Sequence, residues 1–221
     1  MRSSYHEELN GALARLNERA SLVEVAIREA GDTLLDPDLA TAEKVVSEDA
    51  VLDSMHEELE YRFLSLLALQ APVAGELRTI VSSIRVVFEL ARMGDLAAHI
   101  AKVARLRYPE HAIPAELEPN FQRMAQLSDD MMVRTVKILT KQDADSAIDM
   151  AEVDAEMDEL RREHFAKVLG ETWSGSVAQA IDVALVGRYF ERFADHAVAV
   201  ARRVIYITTG ESPEGEDWPN A

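Results

Sequence analysis

The chain has 221 residues, 48% of them hydrophobic, with 40 acidic against 23 basic side chains and a formal net charge of −17. That charge argues against nucleic acid or anionic lipid as a partner, because both need clustered Lys and Arg. Cysteine is absent, which excludes disulfides, thiolate nucleophiles and Cys-ligated metals, and the scarcity of Gly and Pro points to long helices.

The polar start, Met1 to Asn10, does not read as a signal peptide, and no apolar run approaches the roughly 20 residues of a membrane span. A soluble, cytoplasmic protein is expected. The first helix is predicted from about Tyr5 to Ala30. Asp36-Pro37 offers an N-cap followed by proline at the first helical position, so the second helix is predicted from Pro37 to about Leu69. Gln70-Ala71-Pro72 ends it, since proline disfavours a helical residue before it. The third helix is predicted from Val73 to about Arg107.

Tyr108 to Pro114, bracketed by two prolines, reads as a linker. The pattern then restarts. The fourth helix is predicted over about Glu116 to Thr140, the fifth from an Asp143 cap to about Leu169, and the sixth from about Val177 to Thr208. The expected organisation is a three-helix unit over 1–107, a linker over 108–115, a second unit over 116–209 and a disordered acidic tail over 210–221.

The two units repeat one another. Leu90-Ala91-Arg92-Met93-Gly94-Asp95 in the third helix matches Phe190-Glu191-Arg192-Phe193-Ala194-Asp195 in the sixth, an offset of 100. In the second and fifth helices the offset is 105, pairing Asp49 with Asp154 and Asp53 with Asp158. The third helix carries two apolar stripes at three-four spacing. Ile80, Ile84, Val87, Ala91, Gly94, Ala98 and Ala101 form one; Val86, Leu90, Met93, Ala97, Ile100 and Ala104 form the other. A helix apolar on two sides packs against two neighbours, so an all-α bundle of helices each about 50 Å long is expected, arranged as a rod.

The repeated acids are the candidate site. Asp49 and Asp53, Asp154 and Asp158, and Glu191 and Asp195 are i,i+4 pairs, each with both carboxylates on one helix face. Asp95 stands without such a partner because Ala91 occupies the position of Glu191. A divalent cation would relieve the repulsion, and oxygen donors suit Mg, Mn, Ca or iron. Two other readings stay open: a solvated acidic face, or ion pairing with Arg78, Arg85 and Arg92, which line one face of the third helix. The histidines read as surface or boundary residues. No Glu-x-x-His motif is present, which argues against a ferritin-like di-iron oxidase. No nucleophile elbow or phosphate-cradling glycine loop points to an enzyme.

The repeated Arg-x-Gly/Ala-Asp phrase, the acidic Asp49-x-x-x-Asp53 motif and the segment Leu66 to Arg78 between the second and third helices together resemble the PhoU family of phosphate-transport accessory proteins. The resemblance spans about Tyr5 to Gly210. It implies two tandem three-helix bundles related by pseudo-two-fold symmetry. It also implies a non-enzymatic, cytoplasmic negative regulator, coupling the ATPase subunit of a phosphate ABC transporter to a sensor histidine kinase, often as a homodimer. Metal sites for Fe, Mn, Mg or Zn are implied at Asp154, Asp158, Glu191 and Asp195, and at Asp49, Asp53 and Asp95. The family motif has Glu where this chain has Ala91, and Gly where it has Ala194.

Overall fold

The computed structural model describes residues 2–211 and is all helical: α1 (Arg2–Leu35), α2 (Leu39–Gln70), α3 (Ala74–Arg107), α4 (Glu118–Lys141), α5 (Ala144–Ile148), α6 (Met150–Val168) and α7 (Val177–Thr209). The expected disordered tail lies outside the described residues beyond Glu211. Gly210 is described and ends α7 in the left-handed conformation, its N–H donating to the Tyr206 carbonyl.

Helix α1 shows why these sequences fold as they do. Leu9, Ala12, Leu16, Ala20, Val23, Ile27, Ala30 and Leu34 recur at three-four spacing, and all are buried. The opposite face is charged. Both predicted stripes of α3 are inward, because α3 packs against α1, α2 and α7 at once. Gly94 lets α2 come close: a Cβ there would stand 3.0 Å from Leu52 Cδ1.

Two local expectations are corrected. Asp38, not Asp36, caps α2, its side chain accepting from the N–H groups of Ala40 and Thr41. The predicted fifth helix is interrupted at Asp149, which separates the short α5 from α6. Helix α6 also stops at Val168, equivalent to Phe63, about two turns before α2 would have ended.

The bundles lie side by side. Helices α1, α2 and α3 form one; α4, α7 and the α5–α6 pair form the other. They join through α1 against α4 and α3 against α7, both antiparallel, and their buried residues make one continuous core. Ala112, Ile113 and Leu117, in and just after the predicted linker, are buried in that core, so the connection is part of the packing. Side-by-side packing replaces the expected rod, since it covers the second apolar stripe of α3.

Cross-bundle contacts on α3 and α7 are specific. Arg107 Nε donates to Asp182 Oδ2 at 2.6 Å, His196 Nδ1 donates to Glu89 Oε2 at 2.7 Å, and the rings of His99 and Tyr189 stack at 5.2 Å.

Candidate functional site

The seven predicted acids fall into two neighbourhoods, one per bundle. In the first, Asp49 and Asp53 on α2 face Asp95 on α3. Asp49 is half-buried beside Gly94, and its carboxyl is raised by burial, then by Asp53 and Asp95, with Lys102 and His99 opposing. A cavity of about 150 Å³ opens beside it, lined by apolar side chains such as Leu22, Val45 and Leu52.

Of the three arginines expected to balance the α2 acids, Arg92 reaches only the α3 acid and the other two lie apart from the cluster. Arg92 pairs with Asp95 on its own helix at 3.1 Å, Arg85 is exposed, and the Arg78 guanidinium lies against Gly210. A deeper cation is Arg19 of α1, which is fully buried. Its Nη1 donates to the Val87 carbonyl at 2.7 Å, and its charge is felt by Asp53 and Asp95. Burial lowers its pKa to about 10 while those two carboxylates pull it back up. Arg19 is not among the arginines that sequence spacing selects. The signal was there: it occupies an inward position of the α1 stripe, between Leu16 and Val23.

In the second neighbourhood, Asp154 and Asp158 on α6 face Glu191 and Asp195 on α7. Asp154 is pushed up to about 7, by burial first and then by Asp195, Asp158 and Glu191, with Arg202 opposing. Asp195 is raised by burial and Asp158, against Arg188, His196 and Arg192. Glu191 is buried and held between two arginines: Arg161 of α6 at 3.4 Å and Arg188, one turn earlier on α7. Burial raises its carboxyl, and those arginines oppose the shift. Neither arginine was singled out from the sequence.

The first bundle has different chemistry at these places. Arg161, Arg188 and Glu191 correspond to His56, Phe88 and Ala91. There the His56 ring meets Phe88 edge-on at 4.9 Å. His99, one turn after Asp95, stacks on Tyr189.

The donor chemistry of the second cluster suits a hard cation, since four carboxylates crowd one face and Asp154 holds its proton up to about 7. Position is less favourable: among the described residues no three His, Asp or Glu side chains form a group that could hold a metal ion. Glu191 is the acid of this cluster that two arginines hold directly, while Asp154 feels the opposing charge of Arg202. Among the described residues no helix is long and apolar enough to cross a membrane.

Fold and site define a duplicated three-helix protein with one acidic motif per repeat. The PhoU domain model matches residues 16–104 and 121–204, which reproduces the offset of 105 at the start of the repeats and 100 at their ends. The chain belongs to the PhoU family. It is 41% identical over 221 residues, the whole of both chains, to the phosphate-specific transport system accessory protein PhoU homolog 1 of Mycobacterium leprae. It is 42% identical over 213 residues to homolog 2 of Mycobacterium tuberculosis, covering 96% of this chain and 100% of that one. The crystal structure of the phosphate transport system regulatory protein PhoU from Streptococcus pneumoniae superposes with a TM-score of 0.84 at 25% identity, over 94% of this chain and 98% of that one. PhoU from Pseudomonas aeruginosa, at 24% identity, shares the fold with a TM-score of 0.89 over 94% and 100%.

Proposed function

We propose that this chain is a regulatory accessory protein of a phosphate-specific transport system, acting in the cytoplasm as a non-enzymatic adaptor. Its partners are the ATPase subunit of the transporter and a sensor histidine kinase, and it restrains uptake and kinase signalling when phosphate is plentiful. The observation that carries this reading is the full-length correspondence with a relative named as such an accessory protein. The net charge of −17 supports docking on basic partner surfaces, where complementary charge chiefly sets on-rate and specificity. Val177, Ile181 and Leu185, exposed at four-residue spacing on α7, support self-association into a homodimer.

Deletion of the gene tests the reading. A phosphate-starvation reporter should become active at high phosphate, and the intact chain should restore repression and capture the transporter ATPase. A deletion strain that represses normally, with no capture, would overturn it.

A second reading concerns the acids. A divalent cation, Mg, Mn or iron in preference to Zn, would bind the second motif only if Asp154, Asp158 and Asp195 drew closer around it than they stand here. The proton held by Asp154 among three further carboxylates favours it. Metal analysis of protein purified without chelator, compared with Asp154→Asn/Asp195→Asn, tests it: equal metal in both, or none in either after Mn²⁺ addition, rules it out.

A further inference from the structure

The first repeat lacks volume that its twin supplies. The cavity of about 150 Å³ between α1 and α2 is walled by Leu22, Val25, Ala26, Val45 and Leu52, with Gly94 of α3 at its edge. At the offsets that relate the repeats, Ala26 corresponds to Met131, Val45 to Met150, Leu52 to Met157 and Gly94 to Ala194. Those residues of the second repeat are all fully buried. All but the Leu52 exchange add side-chain atoms, so the second repeat packs with its own chain what the first leaves open. Protein interiors are close-packed and an unfilled cavity costs stability, so a cavity open to the surface in one repeat points to an occupant from outside.

The mouth differs in the same sense. In the second repeat Arg123 of α4 and Glu156 of α6 bridge the two helices with hydrogen bonds of 2.6 and 2.9 Å. Their counterparts are Glu18 and Val51, which cannot pair, and the counterpart of Asp130 is Val25. Leu22 and Val51 are 38% and 53% exposed at this mouth, whereas Leu127, the counterpart of Leu22, is buried. Apolar side chains thus surround an opening where the twin has a charged strap. Glu48 and Asp49 form its acidic side, and Lys44, one turn before Glu48, is taken up by Glu29 at 2.5 Å.

We propose that this opening receives one large apolar side chain, of leucine or phenylalanine size, presented by a basic segment of a partner protein, with Lys or Arg beside that anchor meeting Glu48 and Asp49. The volume suits a single such group, since a cavity of about 150 Å³ takes up a benzene-sized molecule. An apolar anchor seated in a pocket supplies affinity, and flanking charges supply on-rate and specificity. A second copy of this chain is a poor occupant, because its own charge of −17 opposes an acidic rim. The identity of the partner rests on the accessory-protein reading above, and the experiment separates the two.

Filling the pocket from within tests the proposal in the full-length chain. Ala26→Met/Val45→Met copies the second repeat and should leave Tm equal or higher, because it removes a cavity. Its affinity for the transporter ATPase subunit, or for the full-length sensor kinase in nanodiscs, should fall at least tenfold by interferometry. Glu18→Arg/Val51→Glu builds the strap of the second repeat over the mouth at two exposed positions; it should have the same effect, and it decides if the first variant does not fold. Glu48→Lys should slow association at low salt, and an unchanged rate overturns the assignment of a basic partner. Unchanged affinity for both partners in either folded variant overturns the proposal. So does a change of oligomeric state on filling, seen by sedimentation, which would make this face a contact between copies of the chain. An unaltered chain that binds neither partner refutes the accessory-protein reading and the docking with it.

Discussion

The two repeats share their backbone and their burial pattern but balance buried polarity by different means. The first buries Arg19 in α1 and lines the face beside its acids with His56, Phe88 and Ala91. The second has Met124 at the place of Arg19 and holds Glu191 between Arg161 and Arg188. A further exchange lies deeper: Leu59 and Val87 of the first repeat correspond to His164 and Gly187 of the second. Contacts across the join are equally one-sided. The positions equivalent to Arg107 and Asp182 are Ile207 and Ser82, and those equivalent to His196 and Glu89 are Leu96 and Tyr189. Duplication thus preserved which positions are inside and left open what fills them, as long as each volume and charge was met locally.

The largest expected effect tests the deep exchange. His164 is fully buried, neither ring nitrogen makes a well-formed hydrogen bond among the described residues, and burial lowers its pKa to about 4 against a weaker opposing pull from the Leu160 backbone. The unfolded chain takes up this proton near 6.5, so the stabilisation is complete above that pH and is lost as pH falls toward 4. His164→Leu, copying Leu59, should remove a loss on the order of 2–3 kcal/mol between pH 7 and 4. Chemical denaturation at both pH values reads it, and an identical pH dependence in the variant would refute the assignment.

The ring of His164 occupies the space of a missing side chain. A Cβ on Gly187 would stand 2.2 Å from the imidazole, so Gly187→Ala should cost about 1–3 kcal/mol. Combining it with His164→Leu should return part of that loss, because the repeat then approaches the Leu59–Val87 arrangement. Additive losses in the double variant would mean the two positions are not one packing unit.

A smaller effect separates the acidic motifs. Asp154, raised to about 7, opposes folding once ionised, so its contribution weakens the protein as pH rises from about 4 through 7. Asp154→Asn should raise Tm by roughly 2–4 °C at pH 8, a shift limited by solvent screening, and leave it unchanged at pH 4. The smallest effects concern the caps. Asp38 and Asp143 are equivalent and both cap. Asp38→Ala should lower Tm measurably, since it opens a long helix, while Asp143→Ala should lower it less, since α5 has five residues. Equal losses in thermal melts would show that α5 and α6 behave as one helix.

Much of this organisation was readable in the chain. Three-four spacing located six long helical segments, and the repeated Arg-x-x-Asp phrase revealed the duplication. The repeat could have corrected one error, because Asp38 aligns with Asp143 whereas Asp36 aligns with Lys141. The Asp36-Pro37 signal was strong, but a cap is settled by which side chain reaches the free N–H groups. The balancing cations were harder to see. Arg78, Arg85 and Arg92 shared a face with the right period, yet period says nothing of which neighbour that face meets.

Periodicity and internal repetition were sufficient for the all-helical class and the duplication, since each is a property of residues close along the chain. Which acids meet, and which cations answer them, depends on side chains brought together from separate helices. Arg19, Val87 and Asp53 come from three helices, and Arg161 reaches Glu191 across 30 positions of sequence. Charge acts through space and is strongest where water is excluded, so that balance was decided only when the bundles packed.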